Sequence, residues 1–414
     1  MTRALLLLPL LTACDTDGID SAAPPALADL SGTLLDYYEG DAPVEGAWVV
    51  VDDGEAVIST RTGADGSFSL PGLPAEAPVT LTFLAEDREA MTFLGFVVGD
   101  HEMPIALHGC SLRDLAAYER PTLEVEGTLS GAPQGSYVLL YGEDDYHDYV
   151  SGAGDAPVPF GFTAHLSEGA ERFRFSAFAI DAGYATLGVA YEEVDATGGD
   201  VTGLDLTLTP AEALSPLTIA FDAPTLDGVL LAEIPEENCI YAGSAFPGVD
   251  SGVVTGWAET CSDTASGFEV SMSYLPTADD HVSVYAAPDL DGATYAWAIV
   301  PITGASMQVP LLDSPVLDSP DTFGPGTALS WAPVAGAREH TLAIYDDEGV
   351  AWRFYGGEGE AAFPDLPEGA PLPALRGAAA WMVYARDYTV ADDGTLDTTA
   401  PYLLSAATGG AAAW

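Results

Sequence analysis

Lysine is absent from all 414 residues of this chain. Its eleven basic residues are arginines, set against 64 aspartates and glutamates for a formal net charge of −53. Without lysine there is no Schiff-base nucleophile and no P-loop lysine. A field of that sign repels nucleic acid and anionic lipid and draws cations, so nucleic acid is not expected as a partner. Selection for solubility or salt tolerance is its ordinary origin, and a specific cationic partner is the sharper reading. Catalytic signatures are missing as well: no G-x-S-x-G, H-E-x-x-H or C-x-x-C occurs. The six histidines, His101, His108, His147, His165, His281 and His340, are scattered without metal-ligand spacing. No catalytic residue is assigned, and the chain reads as non-enzymatic. After the first fourteen residues no apolar run approaches the 18 or so needed to span a bilayer as a helix.

What is present is apolar content of 48%, 44 glycines and 30 prolines. That supplies ordinary cores and frequent turns, and the length suits three or four units of about 100 residues. Short runs alternate polar and apolar residues, as in Val79-Thr80-Leu81-Thr82-Phe83, and helical periodicity is almost lacking. The expected fold class is all-β, a series of β-sandwich modules.

The start, MTRALLLLPLLTAC, joins Arg3 to a short apolar run and ends in Leu11-Thr12-Ala13-Cys14. This resembles the lipobox of bacterial lipoproteins, which implies a signal peptide over 1–13, lipidation of Cys14 and a membrane contact made through that lipid. Residues 14–28 then read as a flexible lipidated tether. The expected location is the bacterial cell envelope, at the outer membrane or cell surface more than the inner membrane. Asp15 after the cysteine also resembles the inner-membrane retention signal of enteric bacteria.

The first unit spans 29–108. Gly32, Pro43-Val44-x-Gly46-Ala47-x-Val49 and Thr62-x-Ala64-Asp65-Gly66-Ser67-Phe68-x-Leu70-Pro71-Gly72-Leu73 resemble the carboxypeptidase regulatory-like domain. The resemblance implies a small transthyretin-like β-sandwich, non-catalytic in itself, and no functional residue. His108 to Tyr118 is the best short helix candidate, with Ser111 as its cap. A second sandwich is expected over 121–210, with strands that include Arg172–Ile180, where arginines alternate with phenylalanines. A third, over 214–312, carries Cys239 and Cys261, close enough to form a disulfide worth about 3 kcal/mol. Cys110 is then either free and buried or the true partner of one of them. The Asp-Ser-Pro repeats before residue 321 are linker chemistry. The fourth unit, 321–408, resembles a fibronectin type III sandwich, with Trp331 as its early core tryptophan and Trp381–Ala385 as a late strand.

The densest polar constellation is Glu143-Asp144-Asp145-Tyr146-His147-Asp148-Tyr149. Its carboxylates Glu143, Asp144, Asp145 and Asp148 have the hard oxygen chemistry of a calcium site, and Tyr146 and Tyr149 beside them can stack on a sugar. A solvated hairpin loop is the plainer reading. Asp15-Thr16-Asp17-Gly18, Asp289-x-Asp291-Gly292 and Asp392-Asp393-Gly394 are turn or tether signals first and calcium loops second. Trp352-Arg353-Phe354-Tyr355 forces aromatics onto one face or the other of its strand, either core and edge or a binding face. The expected function is a non-enzymatic envelope module array for binding, adhesion or spacing, with a glycan or an envelope protein as partner. The alternatives are a calcium-dependent carbohydrate or matrix binder and, last, a hydrolase with a dispersed acidic site.

Overall fold

The structure is a computed structural model and describes residues 27–36, 42–98, 106–108, 121–143, 146–166, 170–183, 185–226, 228–231, 242–245, 253–258, 260, 267–277, 280–288, 294–318, 322–323, 328–357, 359–389, 397 and 399–412. The chain is all-β: among the described residues helical geometry is confined to the short turn Ala211–Ala213 and the single position Leu231. The candidate helix 108–118 lies outside them except for His108, which closes the strand Ala106–His108. All four cysteines also lie outside the described residues.

Alternation in the sequence becomes burial in the strands. Val158–His165 reads half-buried, exposed, buried, exposed in strict order from Pro159 onward, and Gly267–Tyr274 behaves likewise. In Arg172–Ile180, Phe173 and Phe175 are buried, while Arg172 and Arg174 lie on the opposite face. From Ser176 onward both faces of that strand are buried, because the outer one packs on the next unit. There Phe178, Ile180 and Val189 meet Leu214, Trp257 and Leu275, and the Ser176 hydroxyl donates to the Val254 carbonyl at 2.5 Å.

The second unit pairs a five-stranded sheet (spatial order Tyr146–Ser151, Tyr137–Gly142, Arg172–Ile180, Thr186–Asp195, Thr209–Pro210) with a three-stranded one (Val158–His165, Thr122–Ser130, Val201–Thr207) over one phenylalanine-rich core. The other units do not close separately. One twelve-stranded sheet runs through the third, fourth and first. Along its path the strands are Ala242–Ala245, His281–Ala286, Tyr295–Pro301, Tyr402–Ala412, Ala380–Asp387, Glu339–Asp346, Gly349–Tyr355, Ala90–Val97, Pro78–Leu84, Trp48–Asp52 and Val57–Arg61, and the twelfth, Thr322–Phe323, pairs in parallel with Tyr402–Ala412 off that path. Sequence alternation foretold the strands, and it carried no sign of this joining.

Small sheets cover the long one on opposite sides. The strands Gly267–Tyr274, Ser215–Asp222 and Ser306–Gln308 close the third unit's core over Val282, Val284, Ala296 and Ala298. On the same face, Val316–Leu317, Ala328–Ala332 and Glu360–Ala362 close the fourth over Leu342, Ile344, Trp352, Phe354, Trp381 and Val383. Trp331, the expected early core tryptophan, belongs to this cluster. The first unit's small sheet, built on Leu27–Asp36 and Ser67–Pro74, covers the other face, over Val49, Val51, Leu81 and Phe83. In its Ala64-Asp65-Gly66 turn, Gly66 takes φ +73°, and a Cβ there would stand 2.4 Å from the Leu34 carbonyl oxygen. Gly63, the other glycine of that turn, keeps an ordinary φ.

The first and last units meet where Ala90–Val97 pairs in parallel with Gly349–Tyr355. Trp352 is fully buried there, and its indole N–H donates to the Thr92 hydroxyl at 2.9 Å. Arg376 pairs with Asp87, and Arg353 with Glu89 at 2.6 Å. Truncating Trp352 to alanine is expected to cost about 3–5 kcal/mol. Denaturant unfolding measures that loss. Hydrogen exchange should show Ala90–Val97 losing protection although the substitution lies in the other unit; unchanged exchange there would mean the two units are not coupled.

Candidate functional site

The acidic loop singled out in the sequence is only partly described. Asp144 and Asp145 lie outside the described residues, and of Tyr146 only the backbone is placed, opposite Tyr141. Glu143 is engaged by an arginine: its Oε2 accepts from Arg174 Nε at 3.0 Å, and its Oε1 accepts from the Arg174 backbone N–H at 3.3 Å. Asp148 accepts from the backbone N–H of Tyr149 at 2.7 Å. Among the described residues no group of three or more histidine, cysteine, aspartate or glutamate side chains is arranged to hold a metal. His147 stacks on Phe162 with ring centroids 4.3 Å apart. Tyr149 is 55% exposed and sits beside Tyr137, 49% exposed, with centroids 6.3 Å apart. What remains of the loop is an exposed tyrosine pair at a sheet edge. The turns at 289–292 and 392–394, the segment 15–18 and the cysteines Cys14, Cys239 and Cys261 also lie outside the described residues.

Other carboxylates are occupied by their own turns. Asp65 accepts from the N–H and hydroxyl of Ser67, Asp195 from those of Thr197, and Asp397 from those of Thr399. Asp53 accepts from the N–H groups of Glu55 and Ala56. These donors hold all four carboxyls below the usual aspartate range. Asp52 and Asp53 line a shallow cleft with Gly54, Pro78, Val79, Thr80 and Gly95.

The richest constellation was missed by motif reading: the face of the long sheet turned away from the cores of the third and fourth units. Strand alternation sends Trp352 and Phe354 into the core and Arg353 and Tyr355 to the opposite face. The core half of the reading given to Trp352-Arg353-Phe354-Tyr355 is thus realised, and the other half opens a broad surface. On that face, cross-strand registers place Tyr285 and Trp297, Tyr295, Tyr402, Tyr384 and Arg386, Glu339 and Tyr345, then Arg353 and Tyr355. All of these side chains are half-buried.

Contacts knit this face together. The Tyr345 and Tyr384 hydroxyls hydrogen-bond each other. Arg386 donates to the Thr341 hydroxyl at 2.7 Å, lies 3.6 Å from Glu339, and stands over the Tyr384 ring at 5.0 Å. Tyr388 donates to Glu339 at 2.9 Å, and its ring carries the Arg338 guanidinium at 5.3 Å. Tyr285 and Tyr295 lie 5.2 Å apart by ring centroid, and Tyr355 stacks on Phe93 at 5.0 Å. Burial pushes the Tyr295 phenol up to about 12, helped by Tyr285 and Tyr345, and raises Tyr355. Tyr388 rises to about 12 through burial and the Glu339 carboxylate, and Tyr384 is raised by burial and its bond to Tyr345. Burial works to lower Arg353, but the Glu89 carboxylate outweighs it and holds the guanidinium charged. The surface therefore offers aromatic rings and neutral hydroxyls, with two of its arginines matched by glutamates. The signal that would have found it is tyrosine, tryptophan and arginine at every second position of several strands.

These phenols make stability fall at alkaline pH. Below the ordinary tyrosine value of 10 both folded and unfolded chains are protonated. Between pH 10 and about 12 the unfolded chain loses protons that the folded chain keeps, so stability drops as pH rises through that window. Urea unfolding at stepped pH measures the drop, and Tyr384→Phe should reduce it. An equal loss in that variant would assign the effect to other groups.

No family model matches the chain, and no curated protein matches it. Among solved structures, a candidate carbohydrate-binding protein from Bacteroides uniformis is 12% identical and covers 41% of this chain and 98% of its own, with a TM-score of 0.16. A calcium-stabilised, ice-binding adhesin of an Antarctic bacterium is also 12% identical, covering 89% of this chain and 90% of its own at a TM-score of 0.15. The tetra-tandem repeat of an extending region in a large adhesion protein is 13% identical over 94% and 100%, at 0.13. Likenesses of that size carry no argument about this chain, whose class rests on its own strands.

Proposed function

We propose that this chain is a non-enzymatic, exported protein of a bacterial envelope, anchored by lipid on Cys14, and that it works by binding or adhesion through the tyrosine face of its long sheet. The observation that carries this reading is the asymmetry of that sheet. One face closes the cores of the third and fourth units, while the other keeps nine tyrosine, tryptophan and arginine side chains half-exposed with their charges balanced. A pure spacer has no use for such a face, since half-exposed rings cost solubility that polar side chains would supply. Calcium enters as a condition to vary, with the loop at Glu143–Asp148 as its first address.

Two experiments test the reading. In the native host, a clickable fatty-acid analogue should label the wild-type chain and leave Cys14→Ser unlabelled; label retained by the variant would remove the anchor. For adhesion, beads carrying the mature chain are washed over polysaccharide, protein and lipid surfaces, with calcium and with a chelator. Retention on at least one surface should fall about tenfold in Tyr295→Ser/Tyr384→Ser and persist in Tyr137→Ser/Tyr149→Ser. The reverse pattern would move the site to the second unit. No retention on any surface would leave only the spacer role.

A further inference from the structure

Register on the tyrosine face contains a regularity beyond its composition. Following hydrogen-bonded partners across five successive strands gives Tyr295, Ala406, Tyr384, Thr341 and Tyr355. Rings stand on alternate strands, and small side chains stand between them. Adjacent strands lie about 4.8 Å apart, so the rings repeat about every 9.6 Å over a row of about 19 Å. Alongside this row, the parallel one reads Tyr285, Trp297, Leu404, Arg386 and Glu339, which places a guanidinium and a carboxylate next to the central ring.

We propose that the row is a track for an extended, neutral, β-linked polysaccharide lying across the strands; this rests on the tyrosine face being the binding surface. In such a chain each sugar is turned over relative to the last, so every second ring presents the same apolar face. That repeat is close to two inter-strand steps, the spacing of Tyr295, Tyr384 and Tyr355. Apolar sugar faces stack on aromatic rings, and the hydroxyl edges meet Arg386, Glu339 and the Tyr345–Tyr384 pair. Charge selects against polyanions: the chain carries −53 overall, and Arg386 and Arg353 on this face already face Glu339 and Glu89. The small residues matter as much as the rings. Ala406 and Thr341 are small and buried between the rings, and the Arg386 guanidinium, hydrogen-bonded to the Thr341 hydroxyl, stands between Tyr384 and Tyr355 where a sugar hydroxyl edge would meet it.

Calorimetry with soluble β-1,4-linked neutral oligosaccharides of increasing length tests the track, with polygalacturonate as the polyanion. Affinity should climb with length until the oligomer spans about 19 Å, four inter-strand steps, and then level off. Tyr384→Ala should weaken the longest oligomer about tenfold and barely affect the shortest. Tyr384→Phe keeps the ring and should keep most of the affinity, which separates stacking from a folding defect. Saturation by a monosaccharide, or polygalacturonate binding as tightly as the neutral chain, would overturn the track. Absence of oligosaccharide binding while face-dependent adhesion persists would overturn the polysaccharide and leave the binding surface standing. Loss of both would overturn both.

Discussion

The parallel pairing of Gly349–Tyr355 with Ala90–Val97 is the contact on which the architecture depends. Parallel strands cannot be joined by a tight turn, and here the connection is most of the chain: Trp352 meets Thr92 across 260 positions of sequence. Closure entropy grows only with the logarithm of loop length, about 0.6 kcal/mol per doubling, so the distance itself is a modest cost. What offsets it is the burial of Trp352 with its indole N–H satisfied, in a cluster that draws Leu84 and Ala90 from the first unit and Trp381 and Val383 from the last. A polar N–H sealed in that cluster without Thr92 would work against the joint. The Thr92 hydroxyl is itself shared with Thr82 at 3.0 Å, which ties the joint into the next strand.

This joint explains the limits of legibility in the sequence. Period-two alternation reveals a strand and its faces but not its neighbour. Arg172–Ile180, expected from its alternating arginines and phenylalanines, is therefore legible to the residue. Pairing is a non-local choice made by shape, and nothing in Ala90-Met91-Thr92-Phe93 names a partner more than 250 positions away. Loss of alternation is the clue that sequence does carry. The second half of Arg172-Phe173-Arg174-Phe175-Ser176-Ala177-Phe178-Ala179-Ile180 abandons polar positions, as a strand covered on both faces must, and the third unit covers it.

The candidate site was less legible for a related reason. Acid clusters attract the eye because motifs for metals and catalysis are written in carboxylates close in sequence. In this fold many of those carboxylates are local structure: Asp53, Asp65, Asp181, Asp195, Asp346 and Asp397 each accept a backbone N–H a few residues on. Part of the large negative charge is therefore the residue of turn-building in a chain made of hairpins, with aspartate used where asparagine or serine would also serve. The tyrosine face follows the opposite logic. Its residues come from six strands distributed between positions 285 and 402, one or two from each, and only the register assembles them.

Arginine use points to the same surface from another direction. With acids outnumbering bases almost sixfold, any arginine can find a carboxylate, and six of the eight described ones do. The other two, Arg61 and Arg338, lie over the rings of Trp48 and Tyr388 instead. Arg386 does both, standing over Tyr384 while facing Glu339. Planar guanidiniums laid on rings hold the aromatic side chains in place without adding net charge where a glutamate is also present. Within a strongly negative molecule, that combination creates a neutral, rigid, hydrogen-bonding plane. Long-range repulsion of anions and local stacking thus act on the same choice of ligand, and uncharged chains with flat apolar faces are what the two together admit.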